Sequence, residues 1–551
     1  MEKNRELQSK IKEWLEWDKN EKNRGEIENL QEKGDEAALS KLLLSRLEFG
    51  TAGLRGRMGA GYAQMNDLVI IQTSQGLASY LSSSNPNAKE KGVVIGYDGR
   101  HNSKRFAELA TVAFLSEGIP VYLYSQLCPT PFVPFAVSLN GCVAGVMVTA
   151  SHNPKDDNGY KVYWDNGAQI IPPHDKNIQA SILQHLCPRE GAWNVSGLRE
   201  KSDVHDPLSQ VMESYYARIK EGVLDTSTNI ACSTKFAYTA MHGVGHRYMV
   251  EAFNVADFKS ALDLALRTAD REGCSIILAN DPDADRLAVA EQGPGGEWHV
   301  FSGNELGSLL GWWALHCYRA NHPDADPSNL YMLASTVSSK ILRSMSRKEA
   351  EGKEVLFAYE EAIGFMWGTA VLDKDGVSAA VRVAELVAYL EKNGQTLMQK
   401  LNDIYSEYGY HISCNSYFLC YEPPVIKKLF DKLRTINGSP NSYPTSLLGG
   451  KYKVTGVRDL TTGFDSNEAD GKAKLPVSRS SQMVTFNFDN GLVATLRTSG
   501  TEPKIKYYTE LCAPPEQKDK EALHRVLQEM VDAIVSEFLQ PEVYGLLPRK
   551  P

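Results

Sequence analysis

Two stretches of the chain place reactive side chains where apolar runs stop. Thr149-Ala150-Ser151-His152-Asn153-Pro154 ends the run Val143 to Val148. That run reads as a buried strand. The Asn-Pro break leaves the Ser151 hydroxyl and the His152 imidazole at its C-terminal edge, where open α/β sheets bind ligands. The same residues suit an ordinary strand-ending turn equally well. Asp281-Pro282-Asp283-Ala284-Asp285-Arg286 follows the apolar run Ser275 to Ala279. Carboxylates at alternate positions of a loop can converge on one hard cation, and they raise one another's pKa without it. A helix-loop-helix calcium loop fails on residue type: the sixth position is Arg286, not glycine, and the twelfth is Gln292, not glutamate. A small cation with open positions, Mg2+ beside phosphate, fits better.

Three further stretches have the residue types to complete such a site. In Arg497-Thr498-Ser499-Gly500-Thr501-Glu502-Pro503, after the strand Leu492 to Leu496, hydroxyls and backbone N–H groups can line a concavity beside an arginine. That is a phosphate nest, with a hairpin turn as its plain alternative. Glu360, in Tyr359-Glu360-Glu361-Ala362-Ile363-Gly364, puts a carboxylate at a strand's end, suited to sugar hydroxyls or to a solvated loop edge. Asp373-Lys374-Asp375-Gly376 follows it. Lys161 lies just beyond Ser151, and near a metal and a phosphate it could have a lowered pKa and act as general acid or base; an exposed lysine is the alternative. His242, between a strand and a helix, reads as a structural histidine, although Gly243 and Gly245 could admit a phosphate.

The elements that must position these residues alternate between strand and helix. Helix Val69 to Ser82, strand Gly92 to Tyr97, helix Ser103 to Glu117, strand Val121 to Ser125 and helix Val133 to Leu139 precede the Ser151 strand, which implies parallel βαβ units. The plan returns over 230–291 and 330–390. Before it, residues 6 to 17 carry a helical stripe of Leu7, Ile11, Trp14 and Leu15. A polar stretch, Asn20 to Asp35, separates that stripe from a helix Ala37 to Leu47. After about residue 405 short strands alternate with turns, and an amphipathic helix Lys518 to Leu539 closes the chain. The expected fold is α/β, with three similar mixed α/β domains around a central cleft plus a C-terminal α+β domain. Its divisions are 1–205, 206–300, 301–410 and 411–551.

Composition limits the partners. At 551 residues, 42% hydrophobic and 23% charged, the chain is an ordinary soluble globular one. A net charge of −9 argues against nucleic acid. No apolar window is long enough for a membrane span, and the charged N-terminus has no leader-like apolar region. Nine scattered cysteines without a Cys-x-x-Cys pair fit reduced core thiols and a cytoplasmic location.

Taken together and in this order, these stretches resemble the α-D-phosphohexomutase superfamily, in its phosphoglucomutase-2 and phosphopentomutase branch, close to the glucose 1,6-bisphosphate synthase paralogue. Phe49 to Arg55, Asn158 to Gln169 and Leu372 to Ala380 are similar to the same branch. The resemblance implies a phosphoserine at Ser151, which passes its phosphoryl group to and from sugar phosphates. It implies Mg2+ held by Ser151, Asp281, Asp283 and Asp285, and a sugar bisphosphate of the glucose 1,6-bisphosphate type as activator. Arg55 and Arg286, with His152 beside them, would steady the phosphoserine, and Lys161 would be an acid/base group. Glu360 and Lys374 would bind the sugar, and Arg497, Thr498, Ser499, Gly500 and Thr501 the non-reacting phosphate. The partners implied are small sugar phosphates, with the protein a monomer.

The chain departs from that family at three points. Ala362 stands where the wider superfamily has a serine. Val250 to Arg271 runs almost from helix to helix where the family has a further strand and loop, and Ser335 to Val355 lacks a further strand and a sugar-contacting loop. The implied activity is interconversion of sugar 1-phosphates and 5- or 6-phosphates. The alternatives are bisphosphate synthesis from an acyl phosphate, or a weak phosphate-binding variant that lost those segments. Asn153-Pro154 is similar to the mutase motif, Tyr417 to Pro424 and Phe538 to Pro541 to the synthase. A serine hydrolase is the remaining, weak alternative: there is no Gly-x-Ser-x-Gly elbow, and a hydrolase has no use for the three-aspartate loop.

Overall fold

The computed structural model describes residues 2–51, 53–258, 263–264, 273–324, 326, 329–340, 354–479, 481–499 and 503–549. The chain forms two compact units. The first takes in Met1–Gly303, Ala314–Asp324 and Val355–Thr396, and the second Asn304–Trp313, Ala325–Glu354 and Leu397–Pro551.

The first unit opens with three helices, Glu2–Trp17, Glu21–Glu32 and Glu36–Leu43, which share a core of Leu7, Ile11, Trp14, Ile27 and Leu39. The stretch read as a polar connection is therefore a helix. It buries only Asn23 and Ile27, too few for an apolar stripe, and it starts because the Asn20 side chain accepts the Asn23 N–H.

A six-stranded sheet follows, in the order Leu54–Arg57, Asp157–Trp164, Ala144–Val148, Val93–Tyr97, Val121–Leu123, Val204–His205. The last four run parallel, and Asp157–Trp164 is antiparallel to both of its neighbours. Val93–Tyr97 and Ala144–Val148 are buried throughout, as their unbroken apolar sequences require between helical layers. The helices Asp67–Ser84, Ser103–Ser116 and Phe132–Asn140 agree with their sequence expectations to within about two residues.

A second sheet has the order Trp298–Val300, Leu287–Gln292, Ile276–Asn280, Phe236–Thr239, Asp263–Leu264. Its last strand corrects the expectation for Val250 to Arg271. The helix ends at Val255, and a parallel strand of two residues stands beside Ala237 and Tyr238. The strand is curtailed, not lost, and two residues give no sequence pattern. The helix expected after it, and the shortened stretch between Lys340 and Glu354, lie outside the described residues. The hairpin 357–360 with 364–367 and the helix Gly376–Lys392, capped by Asp375, complete the unit.

The second unit is an antiparallel sheet built on Tyr452–Asp459, Met483–Phe488, Leu492–Thr498 and Lys504–Cys512, with shorter strands including His411–Ser413 at its sides. Helices Pro423–Arg434 and Lys520–Ala533 supply its core with Leu429, Phe430, Leu523, Leu527 and Met530. The closing helix widens to a π turn over Ile534–Leu539 and stops at Gln540, whose φ is 46°.

Candidate active site

Ser151 sits where the strand Ala144–Val148 turns back into Asp157–Trp164. Its φ is +53°, the left-handed region that a non-glycine residue enters at a cost and that collects at functional loops. Neighbouring groups hold it there. The Ser151 N–H donates to Thr149 Oγ1 at 2.8 Å, and the Thr149 hydroxyl donates to Asp98 Oδ2 at 2.7 Å. Arg100, two residues past Asp98 in the loop after the adjacent parallel strand, donates to the carbonyls of Ser151, Asn153 (2.7 Å) and Pro154 (2.8 Å). Gly159 is required on the opposite side, because a Cβ there would stand 2.5 Å from the Thr149 carbonyl oxygen.

The three aspartates converge on that hydroxyl. Ser151 Oγ donates to Asp281 Oδ2 at 2.9 Å, and one oxygen from each of Asp281, Asp283 and Asp285 lies within 4.8 Å of the others. The loop bends at Ala284, with φ 57°, and the Arg286 N–H donates to Asp281 Oδ1. Thr130 Oγ1 donates to Asp283 Oδ2 at 2.6 Å. Lys161 Nζ, 3% exposed, lies 2.8 Å from both Asp283 Oδ2 and Asp285 Oδ2.

The burial of Lys161 removes the exposed-lysine alternative. Burial disfavours the Lys161 charge, but Asp283 and Asp285 outweigh it and the pKa is raised. Burial, then Asp283 and Asp285, raises Asp281; at Asp283 burial opposes the charge, and Lys161 and Thr130 overcome it and hold the carboxyl low. Desolvation followed by Arg286 and Arg55 pushes His152 down to about 4, so a neutral imidazole faces Ser151 Oγ, its Nδ1 3.3 Å away.

What the cluster lacks is as informative. Asp283 Oδ1 is buried without a hydrogen-bond donor and Arg55 Nε without an acceptor, while Asp285 Oδ1 and Arg286 Nε meet only as an ion pair at 3.7 Å. Orphaned carboxylate oxygens fit a small hard cation, and orphaned guanidinium N–H groups fit an oxyanion. Around one serine hydroxyl, both together match a phosphoserine with a divalent cation. Arg286 also lies 3.9 Å from Glu360, and Lys374 Nζ 3.7 Å from Asp285 and 3.3 Å from Asp373. Burial works against the Lys374 charge, but Asp373, Asp285 and Glu360 raise its pKa.

The first unit therefore brings Arg55, Ser151, His152, Lys161, Asp281, Asp283, Asp285, Arg286, Glu360 and Lys374 to one place. Arg497, Thr498 and Ser499 belong to the second unit, at the end of the strand Leu492–Thr498. All three are half-buried, and the Ser499 N–H donates to the Lys504 carbonyl at 2.9 Å. Gly500 and Thr501 lie outside the described residues. His242 is exposed, with φ 62°, rather than packed as a structural histidine.

Comparisons with known proteins bear on the same residues. Residues 46–186 match the family model for phosphoglucomutase/phosphomannomutase alpha/beta/alpha domain I, and 337–408 that for domain III. A Homo sapiens protein named phosphopentomutase is 47% identical over 599 aligned positions, which take in 98% of this chain and 97% of that one. The chain belongs to the phosphoglucomutase/phosphomannomutase family. Within the family, a Homo sapiens glucose 1,6-bisphosphate synthase is 46% identical over 99% of this chain and 96% of its own. A probable phosphoribomutase of Schizosaccharomyces pombe is 39% identical over 98% and 99%. In fold, the chain is similar to the open form of pp63/parafusin, a phosphoglucomutase from Paramecium, with a TM-score of 0.58 at 16% identity over 91% of this chain and 96% of that one. Alignments of 599 positions against 551 residues leave at least 48 positions facing a gap here, in keeping with a shortened member of the family.

Sequence reasoning missed Asp98, Arg100 and Thr130, and gave Tyr163 and Asp373 no role. The Tyr163 hydroxyl donates to Asp373 Oδ2 at 2.8 Å and so fixes the carboxylate beside Lys374. Asp98-Gly99-Arg100 did carry a signal: it ends the strand next to the Ser151 strand, at the same sheet edge.

Proposed function

We propose that the chain is a Mg2+-dependent sugar-phosphate mutase that interconverts sugar 1-phosphates with pentose 5- or hexose 6-phosphates through phospho-Ser151. The observation that carries this reading is the Ser151 hydroxyl donating into the converged Asp281, Asp283 and Asp285 carboxylates, with which Lys161 and Arg286 also pair. Relatives at 39–47% identity named phosphopentomutase, glucose 1,6-bisphosphate synthase and probable phosphoribomutase support the substrate class.

In this scheme the phosphoryl group leaves Ser151 Oγ for the free hydroxyl of a bound sugar monophosphate, giving a sugar bisphosphate and an unmodified serine. The bisphosphate turns, and its other phosphoryl group returns to Ser151. Each transfer moves one proton between sugar hydroxyl and serine. Neutral His152 beside Oγ and protonated Lys161 are the groups at hand to carry it. Arg55 and Arg286 meet the charge on the transferring group, and Glu360 and Lys374 orient the sugar. Asp281, Asp283, Asp285 and the Ser151 phosphate would hold Mg2+, which when bound neutralises phosphoryl charge. Arg497, Thr498, Ser499, Gly500 and Thr501 grip the phosphate that does not react. A sugar bisphosphate primes Ser151. The protein acts as a monomer in the cytoplasm, a compartment that suits nine cysteines outside any disulfide; no described helix is long and apolar enough to cross a membrane.

A coupled assay with ribose 1-phosphate or glucose 1-phosphate, Mg2+ and a trace of glucose 1,6-bisphosphate tests the proposal. Isomerised product is expected, and its absence with folded protein would overturn the reading. Bisphosphate accumulating instead, from glucose 1-phosphate and an acyl phosphate donor, would assign the chain to synthesis, which its 46% identity to a synthase makes the second reading.

A further inference from the structure

The second unit contains another cluster of metal-binding side chains. The strand His411–Ser413 runs antiparallel to Lys504–Cys512, with His411 opposite Cys512 and Ser413 opposite Glu510. Cross-strand partners share a face, and so do residues two apart in one strand, so His411, Glu510 and Cys512 project from the same side of the sheet. One atom from each lies within 4.8 Å of the others. His411 Nδ1 is 3.6 Å from Glu510 Oε1, and Cys512 Sγ is 3.6 Å from Glu510 Oε2.

Two of these groups are buried without the partners that burial demands. His411 is 7% exposed and Glu510 6%. Glu510 Oε2 accepts the Lys340 N–H at 2.8 Å, but Glu510 Oε1 and His411 Nδ1 have no hydrogen-bond partner. At 3.6 Å the two face each other beyond hydrogen-bond range. A buried carboxylate oxygen and a buried imidazole nitrogen that meet only at 3.6 Å are weakly paired as they stand. The same spacing is what a shared metal produces. Zinc bonds of about 2.0–2.3 Å at tetrahedral angles put neighbouring ligand atoms about 3.3–3.8 Å apart.

We propose that His411, Glu510 and Cys512 form a Zn2+ site in the C-terminal unit, distinct from the three-aspartate loop. The donor set separates the two cations. Imidazole and thiolate beside one carboxylate select zinc, whereas three carboxylates select magnesium. Cys512 gives up its proton on coordination. Three protein ligands leave a fourth position for a water molecule. The bound ion joins the edge strand His411–Ser413 to the long strand Lys504–Cys512 and, through Glu510, to the turn at Lys340.

The test uses the full chain, stripped of metal and then saturated with Mg2+ so that the aspartate loop is filled. Equilibrium dialysis against Zn2+ should show one tightly held equivalent. His411→Ala and Cys512→Ser should each weaken it by at least about 100-fold, more than removal of an outer-shell partner does. Co2+ in place of Zn2+ on the unmutated chain should give thiolate-to-cobalt absorption in the near ultraviolet, a readout that does not depend on the variants folding. No Zn2+ uptake, uptake unchanged in both folded variants, or a cobalt complex without the thiolate band each overturns the proposal.

Discussion

The serine–aspartate cluster and the Arg497 loop serve the same ligand in the proposed reaction, yet they are built differently. In the first, a serine and an alanine hold left-handed backbone, carboxylates are buried against one another, and a buried lysine bridges two of them. In the second, Arg497 to Ser499 continue a sheet ladder. Arg497 pairs with Met483 and Lys506, and the Thr498 N–H donates to the Gln482 carbonyl. The Arg497 guanidinium lies 5.8 Å from the Tyr508 ring centre, on a half-buried surface. In the proposed reaction, strain and buried charge fall where bonds would change, while the described residues of the loop that would only grip a phosphate keep regular sheet backbone.

The largest effect expected from breaking that comparison is at Ser151. Ser151→Ala should lower turnover by at least about 10^4-fold, as loss of a covalent nucleophile does, with circular dichroism unchanged. Residual turnover within tenfold of the parent would make the strained serine a structural feature.

Lys161→Met should act on stability as well as rate. It leaves Asp283 buried without its ion-pair partner, and Asp285 with only the more distant Lys374 and Arg286, at a cost of about 3–5 kcal/mol in metal-free protein. Saturating Mg2+ should recover most of that loss, so denaturant melts should show a larger Mg2+ response in the variant than in the parent. Equal responses would mean that lysine and metal do not share those carboxylates.

The Arg497 loop should behave in the opposite way. Arg497→Ala should raise KM by about 10–100-fold, the worth of one charge-assisted hydrogen bond. Its stability should change by less than about 0.5 kcal/mol, as for a surface substitution. A collapse in turnover with KM unchanged would move Arg497 into the chemistry.

The smallest effect is on pH dependence, and its sign follows from the two coupled aspartates. The raised Asp281 contributes stability that is complete below the unfolded carboxylate value of about 3.9 and is lost as pH rises through its folded value. The lowered Asp283 contributes stability present above that same value, lost only as pH falls through its depressed one. Between about pH 5 and pH 8, the metal-free protein should therefore lose stability through Asp281, and Mg2+ should flatten the decline. Thermal melts at the two pH values, with and without Mg2+, check this.

Sequence made legible those parts of the site that are contiguous. Ser151 and the three aspartates stand in short runs at the ends of apolar strands, and the structure brings them together. It could not give the charge state of Lys161, because the carboxylates that set it are 122 and 124 residues away. Arg100 escaped for a related reason, since it acts on backbone carbonyls some fifty residues on, which no side-chain motif reveals. The helix Glu21–Glu32 was hidden by having only two buried residues, and the strand Asp263–Leu264 by being two residues long.

Intact-mass measurement tests the central claim most directly. After exposure to glucose 1,6-bisphosphate and Mg2+, the parent chain should carry the mass of one added phosphate and Ser151→Ala none. A phosphate retained on the variant, or none on a parent chain that turns over substrate, would contradict phosphoryl transfer through Ser151.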